Sequence, residues 1–356
     1  MTFDTSAASA RFARAHLEGL FGFDSIRVPR YRLLDGPTPI HALPRLSMHL
    51  GGANIYVKRE DVAGVGGGGN KLRKLELLIG EALQGGADTV ITVGARQLNH
   101  ARLTAAAAAR AGMRCEVVLT RSVPRDDADY IESGNVLLDS LFNAHVHDLS
   151  ASADAMAYAV SRAGELRAAG HRVYVCPFGG SSPTGCVAYA ACAAEIVQQS
   201  QAHGPLFDRI VVPNGSGGTH AGLVAGLAAL GSDTIEVDAY TVYAPAADAH
   251  RSTLDKVRQT ARILHCDRDI SPDAVRVDSS QLGPGYGMPT DSMRRAVRLL
   301  ASQEGLLLDP VYSGKAFAGL IEGITSGRYA SDKNILFIMT GGLPGLFAYR
   351  NEFQAA

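Results

Sequence analysis

Short apolar, β-branched runs alternate with stretches of helical periodicity along most of the chain. The runs are continuous rather than alternating, as expected for strands that are buried on both faces of a sheet. They lie at residues 53–60, 88–95, 114–120, 171–177, 208–215, 236–244 and 334–342. Alanine- and leucine-rich segments such as "ARLTAAAAARAG" and "CVAYAACAAEIVQQ" separate them. A repeated order of strand and helix predicts a parallel α/β architecture.

The composition restricts the class of partner. The chain has 356 residues, of which 46% are hydrophobic and 19% charged, with a formal net charge of -1. This length predicts two domains, or one large α/β domain with an insertion. The balanced charge favours a small-molecule partner over nucleic acid or an anionic membrane.

Five cysteines show no metal-ligand spacing, so we expect reduced thiols and no metal site. Because neither the N-terminus nor any later segment has a long apolar run, we expect a cytoplasmic protein.

Four loops that follow predicted strands are rich in glycine or polar residues. They span residues 64–71, 94–102, 214–222 and 340–345. In open α/β sheets, ligands bind beyond the carboxyl ends of the strands, where loops lead into helices. We therefore expect the four loops to meet at one end of the fold and to form a small-molecule site.

Two lysines lie one helical turn apart directly after the segment "GGGGN" of residues 66–70. Lys71 and Lys74 are on a predicted helix whose leucines face inward. A lysine beside a loop with little side-chain bulk can reach a ligand, and a cationic neighbour lowers its pKa, so either is a candidate amine nucleophile. The alternative is two solvated lysines. The glycines also match G-x-G-x-x-G, but the cationic residues that follow disfavour a dinucleotide.

The segment "NGSGGTHAG" ends a predicted strand and opens a helix. Its small residues leave backbone N–H groups free to surround an anion, and the helix N-terminus adds to this effect. Ser216 and Thr219 contribute hydroxyl donors. No G-K-[ST] follows, so a monophosphate is favoured over a triphosphate; a plain turn is the alternative. A lysine nucleophile next to a monophosphate site is the combination that pyridoxal 5′-phosphate (PLP) requires.

Six segments together resemble the D-cysteine desulfhydrase and 1-aminocyclopropane-1-carboxylate (ACC) deaminase family of fold-type II PLP enzymes. They are "GGNKLRKLE", "GADTVITVGA", "GSGGTHAGL", "GPGYGMPT", "EGLLLDPVYSGKAFAGLI" and "ILFIMTGGLPGLFAY". The resemblance implies two open, twisted, mostly parallel sheets flanked by helices, similar to the tryptophan synthase β subunit. It also implies a homodimer with a large PLP-binding domain, residues 1–73 and 184–356, and a smaller inserted α/β domain, residues 74–183.

The resemblance also implies roles for the cofactor residues. Lys71 resembles the lysine that attaches the cofactor covalently, Lys74 the second lysine near the phosphate, and Asn99 the asparagine that bonds the ring 3′-hydroxyl. The phosphate loop is matched by Ser216, Gly217, Gly218 and Thr219. Thr340 resembles a hydroxyl donor that faces the pyridine nitrogen. A neutral partner at that nitrogen makes a weaker electron sink, which favours elimination.

On the substrate side, Tyr286 and Tyr312 match the two tyrosines that face the substrate in the family. The segment "GARQLNHAR" contributes Arg96, Leu98, Asn99 and His100 as expected substrate-binding residues. Leu98 stands where relatives have a serine. The leucine is either a neutral change, with Asn99 and nearby backbone groups binding the substrate carboxylate instead, or it changes the choice of substrate. An inward-pointing Arg96 would bind an added anion such as a sulfonate; an Arg96 that points to solvent is the alternative.

The implied reaction is the α,β-elimination of a small β-substituted amino acid of the D-cysteine or cysteate type, which gives pyruvate, ammonia and sulfide or sulfite. Lys71 is the expected base at Cα, with Tyr286 or Tyr312 assisting. Alternatives are a β-replacement enzyme or racemase of specialised metabolism, and ACC deaminase-like ring opening. Ser313 disfavours ring opening, because ACC deaminases carry a glutamate there. A non-catalytic PLP-binding protein is least favoured, since Lys71 and both tyrosines are intact.

Overall fold

A computed structural model describes residues 15–331 and 333–354. Its strands are β1 His16–Leu20, β2 Phe23–Arg30, β3 Ile40–Ala42, β4 Asn54–Arg59, β5 Thr89–Ala95, β6 Arg114–Thr120, β7 His145–Leu149, β8 Val173–Val175, β9 Arg209–Asn214, β10 Glu236–Thr241, β11 Arg276–Asp278 and β12 Asn334–Met339. Its α-helices are α1 Pro44–Leu50, α2 Lys71–Gln84, α3 Asn99–Ala111, α4 Ala128–Glu132, α5 Gly134–Leu141, α6 Ala155–Ala168, α7 Pro183–His203, α8 Gly218–Ala229, α9 Ala246–Ile263, α10 Asp291–Glu304, α11 Ser313–Thr325 and α12 Pro344–Ala348.

Two mostly parallel sheets organise these elements. The larger has six strands in the order β11-β10-β9-β12-β4-β3, and the smaller has four in the order β7-β6-β5-β8. In the larger sheet β3 runs antiparallel to β4, whereas the other neighbours are parallel. All pairs in the smaller sheet are parallel. The predicted α/β class is confirmed, and each of the seven predicted strand segments contains a strand of these sheets.

Helices cover both faces of the larger sheet, as its sequence requires. β12 is buried along Ile335–Met339, with no residue more than 1% exposed. One core cluster packs α7, α8 and α9 against this sheet, and a second packs α1, α10 and α11 against its other face. Strands that are buried on both faces need continuous apolar runs, which explains why they could be recognised in the sequence.

The strands that sequence analysis missed lie at edges or in a hairpin. β7, with the sequence "HVHDL", is a half-exposed edge strand, so it has no continuous apolar run. β3 and β11 have three residues each. β1 and β2 form a separate antiparallel hairpin. Short or exposed strands carry too little hydrophobic pattern to be recognised from sequence.

The predicted domain boundaries fall at two helices. The smaller sheet uses residues 89–175, and the strands of the larger sheet lie on either side of it in the chain. The boundary between residues 73 and 74 falls inside α2, and that at 183 coincides with the start of α7. The two-domain division stays a prediction.

The expectation that the N-terminus has no long apolar run concerns mainly residues 1–14, which lie outside the described residues. Within the described residues, no helix is long and apolar enough to cross a membrane.

Candidate active site

A pocket lies beyond the carboxyl ends of strands from both sheets. All four glycine-rich or polar loops contribute to its lining, which comprises Asn70, Lys71, Leu98, Asn99, His100, Pro213, Gly215, Ser216, Gly217, Gly218, Thr219, Tyr312 and Thr340. The loops after β5, β9 and β12 thus meet the start of α2. Parallel strands place their carboxyl ends on one edge of a sheet, so this convergence follows from the topology.

The glycine run before α2 lets two loops approach closely. Gly68 has a φ of +73°, and a Cβ there would collide with the carbonyl of Asp61. Where Gly341 passes the run, a Cβ on it would lie 2.9 Å from Gly69 Cα. The backbone N–H of Asn70 donates to the carbonyl of Thr340 at 2.9 Å. Side chains would separate these segments, so the glycines place the first residue of α2 in the pocket.

Lys71 is that first residue, and its amine has no anionic partner. It is half-buried, and neither Lys71 nor Lys74 forms an ion pair within the described part of the chain. Desolvation, followed by the charge of Lys74, holds the pKa of Lys71 well below its usual value. A lowered pKa increases the fraction of neutral amine, which is the form that acts as a nucleophile or a base.

A buried ionic network fixes α2 on the side that faces away from the pocket. Arg73 on this helix donates to Glu60 at 2.7 Å and to Glu195 at 2.8 Å. The hydroxyl of Tyr189 donates to Glu60 at 2.9 Å and lies 3.1 Å from the carbonyl oxygen of Asn70. These acidic groups neutralise Arg73 rather than the lysines on the pocket side. The helix is thereby held in place without placing a carboxylate in the pocket.

Lys74 lies at the phosphate loop predicted from sequence. Its Nζ is fully buried and donates to Ser181 Oγ at 3.0 Å, and burial lowers its pKa to about 8. Ser181 Oγ is 2.7 Å from Ser216 Oγ. A Cβ on Gly218, at the start of α8, would collide with Ser181 Oγ and lie 2.7 Å from Lys74 Nζ. An ammonium, hydroxyls and a helix N-terminus therefore converge at the start of α8, a combination of groups that suits a phosphate.

Ser181 and Asn70 were missed by sequence reasoning. Ser181 lies in the segment "FGGSSP" between β8 and α7, a further strand-to-helix loop with glycine and serine. The strand before it was predicted, so the loop after it could have been included by the same rule. Asn70 donates from Nδ2 to Thr219 Oγ1 at 3.1 Å, which ties the glycine run to the phosphate loop. Asn70 was visible in sequence only as the residue before Lys71.

The charge of Lys74 leads to a pH-dependent prediction for the cofactor-free protein. Lys74 is protonated below its pKa of about 8 and neutral above it. Sulfate keeps its charge between pH 7 and 9, so we expect its affinity to fall roughly tenfold over that range as Lys74 loses its proton. Calorimetric titration measures this affinity. The Lys74→Met variant serves as the control and should bind weakly with little pH dependence. A constant sulfate affinity in the parent protein would contradict the assignment.

Asn99 is oriented by a residue that sequence analysis did not identify. Asn135 on α5 donates from Nδ2 to Asn99 Oδ1 at 3.0 Å. Gln97 holds Asn135 in turn, because its Oε1 accepts from the Asn135 N–H at 2.8 Å. The Asn99 oxygen is thereby occupied, which leaves Nδ2 as its donor toward a ligand. No local sequence signal connects Asn135 to this loop.

The N-terminus of α3 offers unpaired donors to the pocket. Leu98 precedes this helix and provides no side-chain cap. The backbone N–H groups of Asn99 and His100 make no hydrogen bond within the described residues. Leu98 is 3% exposed and packs over Gly94, where a Cβ would collide with its side chain. Two free N–H groups at a helix N-terminus can bind a carboxylate without help from the side chain at residue 98.

His100 and Arg96 differ in their placement. His100 lines the pocket but is fully buried, and burial together with Lys71 and Lys74 holds its pKa well below the usual value. It is therefore neutral. Arg96 lies outside the pocket lining, and its guanidinium donates to Asp148 at 2.6 Å. Of the two alternatives for Arg96, the inward-pointing one is contradicted, because its side chain reaches Asp148 on β7 instead of the pocket.

Tyr286 and Tyr312 form a hydrogen-bonded pair at the mouth of the pocket. Their hydroxyl oxygens are 2.5 Å apart. Burial raises the pKa of both phenols, so both are protonated near neutral pH.

Asp309 accepts from the Tyr312 N–H at 2.8 Å, and it also accepts from Ser313 Oγ at 2.5 Å. Ser313 thus bonds to Asp309 and does not line the pocket. The loop of Tyr286 is held by Lys315, whose Nζ donates to the carbonyl of Gly285 at 3.0 Å.

Thr340 also lines the pocket. It is 8% exposed, and its hydroxyl makes no hydrogen bond within the described residues. This leaves the hydroxyl available to a heteroatom of a bound ring. Two lysines without anions, the donors at the start of α8 and this free hydroxyl are the groups that PLP needs for attachment, anchoring and ring contact. The residues present therefore fit this cofactor.

Comparisons with known proteins agree with this chemistry. A family model described as "Pyridoxal-phosphate dependent enzyme" matches residues 31–341. The chain is 46% identical to a D-cysteine desulfhydrase of Serratia proteamaculans, over 91% of this chain and 97% of that protein. It is 45% identical to a D-cysteine desulfhydrase of Salmonella typhi, with the same coverage of 91% and 97%.

Solved structures show the same fold. An ACC deaminase homologue is 36% identical and superposes with a TM-score of 0.83, covering 94% of this chain and 98% of that one. A fungal L-serine ammonia-lyase from Rhizomucor miehei superposes with a TM-score of 0.62 at 17% identity, covering 91% of this chain and 100% of that one; this likeness concerns the fold alone. The chain belongs to the family of pyridoxal-phosphate dependent enzymes and has their fold-type II architecture.

Proposed function

We propose that this enzyme eliminates the β-substituent of D-cysteine and releases sulfide, pyruvate and ammonia. Identity of 45–46% to two D-cysteine desulfhydrases over 91% of the chain supports this substrate. The observation that carries the reaction type is the protonated Tyr286–Tyr312 pair, with hydroxyls 2.5 Å apart, at the mouth of the pocket that holds Lys71. An elimination needs a base at Cα and an acid at the leaving group, and these residues supply both.

We assign the cofactor contacts as follows. Lys71 would attach PLP covalently, and Lys74 with the loop of residues 216–219 would hold its phosphate. Asn99 would donate to the ring hydroxyl, and the Thr340 hydroxyl would serve the ring nitrogen. When bound, PLP withdraws electrons from the α-carbon of the substrate and so acidifies its proton. Neutral Thr340 does not stabilise a protonated ring nitrogen, which favours rapid loss of a leaving group over a long-lived carbanion.

The remaining residues act on the substrate. The N–H groups of Asn99 and His100 bind its α-carboxylate. Lys71, as a neutral amine, removes the α-proton. A tyrosine hydroxyl of the Tyr286–Tyr312 pair gives its proton to sulfur as the C–S bond breaks, which makes sulfide a better leaving group. Overall, D-cysteine and one water give hydrogen sulfide, pyruvate and ammonia.

The test uses the holoenzyme with D-cysteine, L-cysteine, L-cysteate, β-chloro-D-alanine and ACC. We expect sulfide and pyruvate in equal amounts from D-cysteine. A change in the cofactor absorption without pyruvate would favour β-replacement or racemisation. No spectral change with any amino acid would contradict the proposal and favour a binding protein. Turnover of ACC is not expected, because Ser313 bonds to Asp309 and does not line the pocket.

Leu98 leads to a separate prediction about the carboxylate. Leu98→Ser places a hydroxyl at the start of α3, where serine is a favourable N-terminal residue. An added carboxylate contact contributes about 1–3 kcal/mol, so we expect kcat/KM for D-cysteine to rise at least fivefold over that of Leu98→Ala. The alanine variant is the matched control, because both changes open the same space over Gly94. Equal values for the two variants would show that residue 98 does not contact the substrate.

We further propose that the enzyme is a cytoplasmic homodimer. All five cysteines are free, and four of them are buried, which agrees with a reducing compartment. The homodimer rests on the family resemblance of the sequence. Sedimentation of the holoenzyme at several concentrations measures the mass directly.

A further inference from the structure

A fully buried arginine reaches the glycine run that precedes Lys71. Arg102 lies on α3, one turn after Asn99, and its side chain has no exposed surface. Its Nη2 donates to the carbonyl oxygen of Gly68 at 2.7 Å. Within residues 15–331 and 333–354, this buried carbonyl accepts no other hydrogen bond. Arg102 therefore satisfies a backbone group that would otherwise be buried without a partner.

The glycine run needs an outside contact to keep one conformation. All four glycines at residues 66–69 have a positive φ, between +65° and +137°. Glycine enters this region without steric cost, and for the same reason it is the residue with the most freedom to leave it. Lys71 follows the run after a single residue and lines the pocket. A shift of the run would therefore move the Lys71 amine.

A second buried charge lies near Arg102 with its oxygens unpaired. Asp139 on α5 is fully buried, and α5 packs against α3. Burial raises the pKa of Asp139, and the charge of Arg102 opposes this rise, so the two groups interact electrostatically. Among the described residues, neither oxygen of Asp139 has a hydrogen-bond partner, and neither do Nε and Nη1 of Arg102. Buried groups of this kind are commonly bridged by an ordered water.

We infer that Arg102 is a positioning residue for Lys71 and that Asp139 is its charge partner. Both side chains lie outside the pocket lining, so they act through other residues. Arg102 fixes the glycine run through Gly68 and thereby sets where the Lys71 amine lies. Because Arg102 belongs to α3, it also holds this run in register with the helix whose first N–H groups are assigned to the substrate carboxylate. The inference rests on the proposed function, in which Lys71 attaches the cofactor and removes the α-proton.

The test uses variants that separate position from stability. Removing one partner of a buried pair destabilises a protein, whereas replacing both by apolar residues often does not. We expect Asp139→Leu to lower the Tm of the cofactor-free protein by on the order of 5–10 °C, and Arg102→Leu/Asp139→Leu to recover most of this loss. The double variant still lacks the donor to Gly68, so Lys71 should be displaced in it. Arg110→Leu, the same change at an exposed site two turns later on α3, is the control.

The position of Lys71 is measured without substrate or cofactor. Competitive labelling of the cofactor-free protein with acetic anhydride, read by peptide mass spectrometry, reports the neutral fraction of each lysine. Burial and the charge of Lys74 hold the pKa of Lys71 well below its usual value in the parent protein. A displaced amine is better hydrated, so in the double variant we expect this pKa to rise and labelling of Lys71 at pH 7 to fall about tenfold. Lys74 should keep its labelling, because its contact with Ser181 is unchanged.

Turnover gives a second readout. In the holoenzyme of the double variant, kcat for D-cysteine should fall on the order of 100-fold, because a small misplacement of a reacting group is enough for such a loss. KM should stay within about threefold, since the groups assigned to the substrate carboxylate remain. Arg110→Leu should match the parent protein in both readouts.

Unchanged labelling of Lys71 in the double variant would overturn the inference, and the proposed function would stand if the parent protein releases sulfide from D-cysteine. Reduced labelling, with a parent protein that does not use D-cysteine, would support the inference and contradict the proposed substrate. If the double variant does not fold, Arg102→Met/Asp139→Asn gives the same comparison with smaller changes of shape. Unchanged labelling of Lys71 in that variant would equally overturn the inference.

Discussion

Replacing Lys71 by alanine is expected to remove covalently bound cofactor and to lower kcat for D-cysteine at least about 10³-fold. In the proposed mechanism the same amine attaches the cofactor and removes the α-proton, and a positioned base alone contributes about 10²–10⁴-fold. Lys74 does not substitute for it, because its Nζ is fully buried and donates to Ser181 at the phosphate loop. The visible spectrum of the purified variant and its rate of pyruvate release measure both effects.

Lys333→Ala is the matched control. Lys333 precedes β12 at the amino end of the larger sheet, opposite the pocket, and pairs with Asp208 at 3.0 Å. Its loss removes one lysine and one exposed ion pair, which contributes little to stability. We expect this variant to keep its cofactor and its rate within about twofold. Normal turnover by Lys71→Ala would refute the assignment of the catalytic lysine.

Gly218→Ala is expected to weaken cofactor binding by on the order of 100-fold or more. The added Cβ would collide with Ser181 Oγ and lie 2.7 Å from Lys74 Nζ, so it displaces the hydroxyl and the amine that are assigned to the phosphate. Loss of two hydrogen bonds to a charged group removes about 3–6 kcal/mol of binding. Gly218 is the first residue of α8 and its helical backbone accepts alanine, so the change acts through the shift that it forces on Ser181 and on the Lys74 amine. Titration of the cofactor-free variant with PLP measures the affinity.

Gly164→Ala serves as the control for this substitution. Gly164 lies in α6, and a Cβ there would meet no atom within 4 Å. The same change of residue type therefore leaves the phosphate space untouched, and we expect wild-type affinity for PLP. If Gly218→Ala also binds PLP normally, the phosphate is not held between Lys74, Ser181 and the start of α8.

Sequence reasoning identified the buried strands and the loops that follow them. Runs such as that of β12 are continuous because both faces are buried, and this requirement is visible without a structure. Lys71 and residues 216–219 were predicted to lie in the site because small residues precede a helix N-terminus at both places. Such a loop lets a ligand approach the backbone closely. The family resemblance then related these residues to a cofactor and a reaction.

The residues that orient the site could not be found in this way. Asn135 reaches Asn99 from a different helix, and Lys315 holds the loop of Tyr286 from α11. Such contacts depend on tertiary packing and leave no periodic signal. The direction of Arg96 was undecided for the same reason, because its partner Asp148 is 52 residues away in the chain. Side-chain direction in a loop follows from nearby charges rather than from local sequence.

We propose that Lys71 attaches the cofactor while Lys74, one turn later on the same helix, holds its phosphate. Reduction of the holoenzyme with borohydride makes the link between lysine and cofactor permanent, and peptide mass spectrometry then identifies the modified residue. We expect modification at Lys71 alone, with Lys74 unmodified. Modification at Lys74, or at neither lysine in a holoenzyme that turns over D-cysteine, would contradict it.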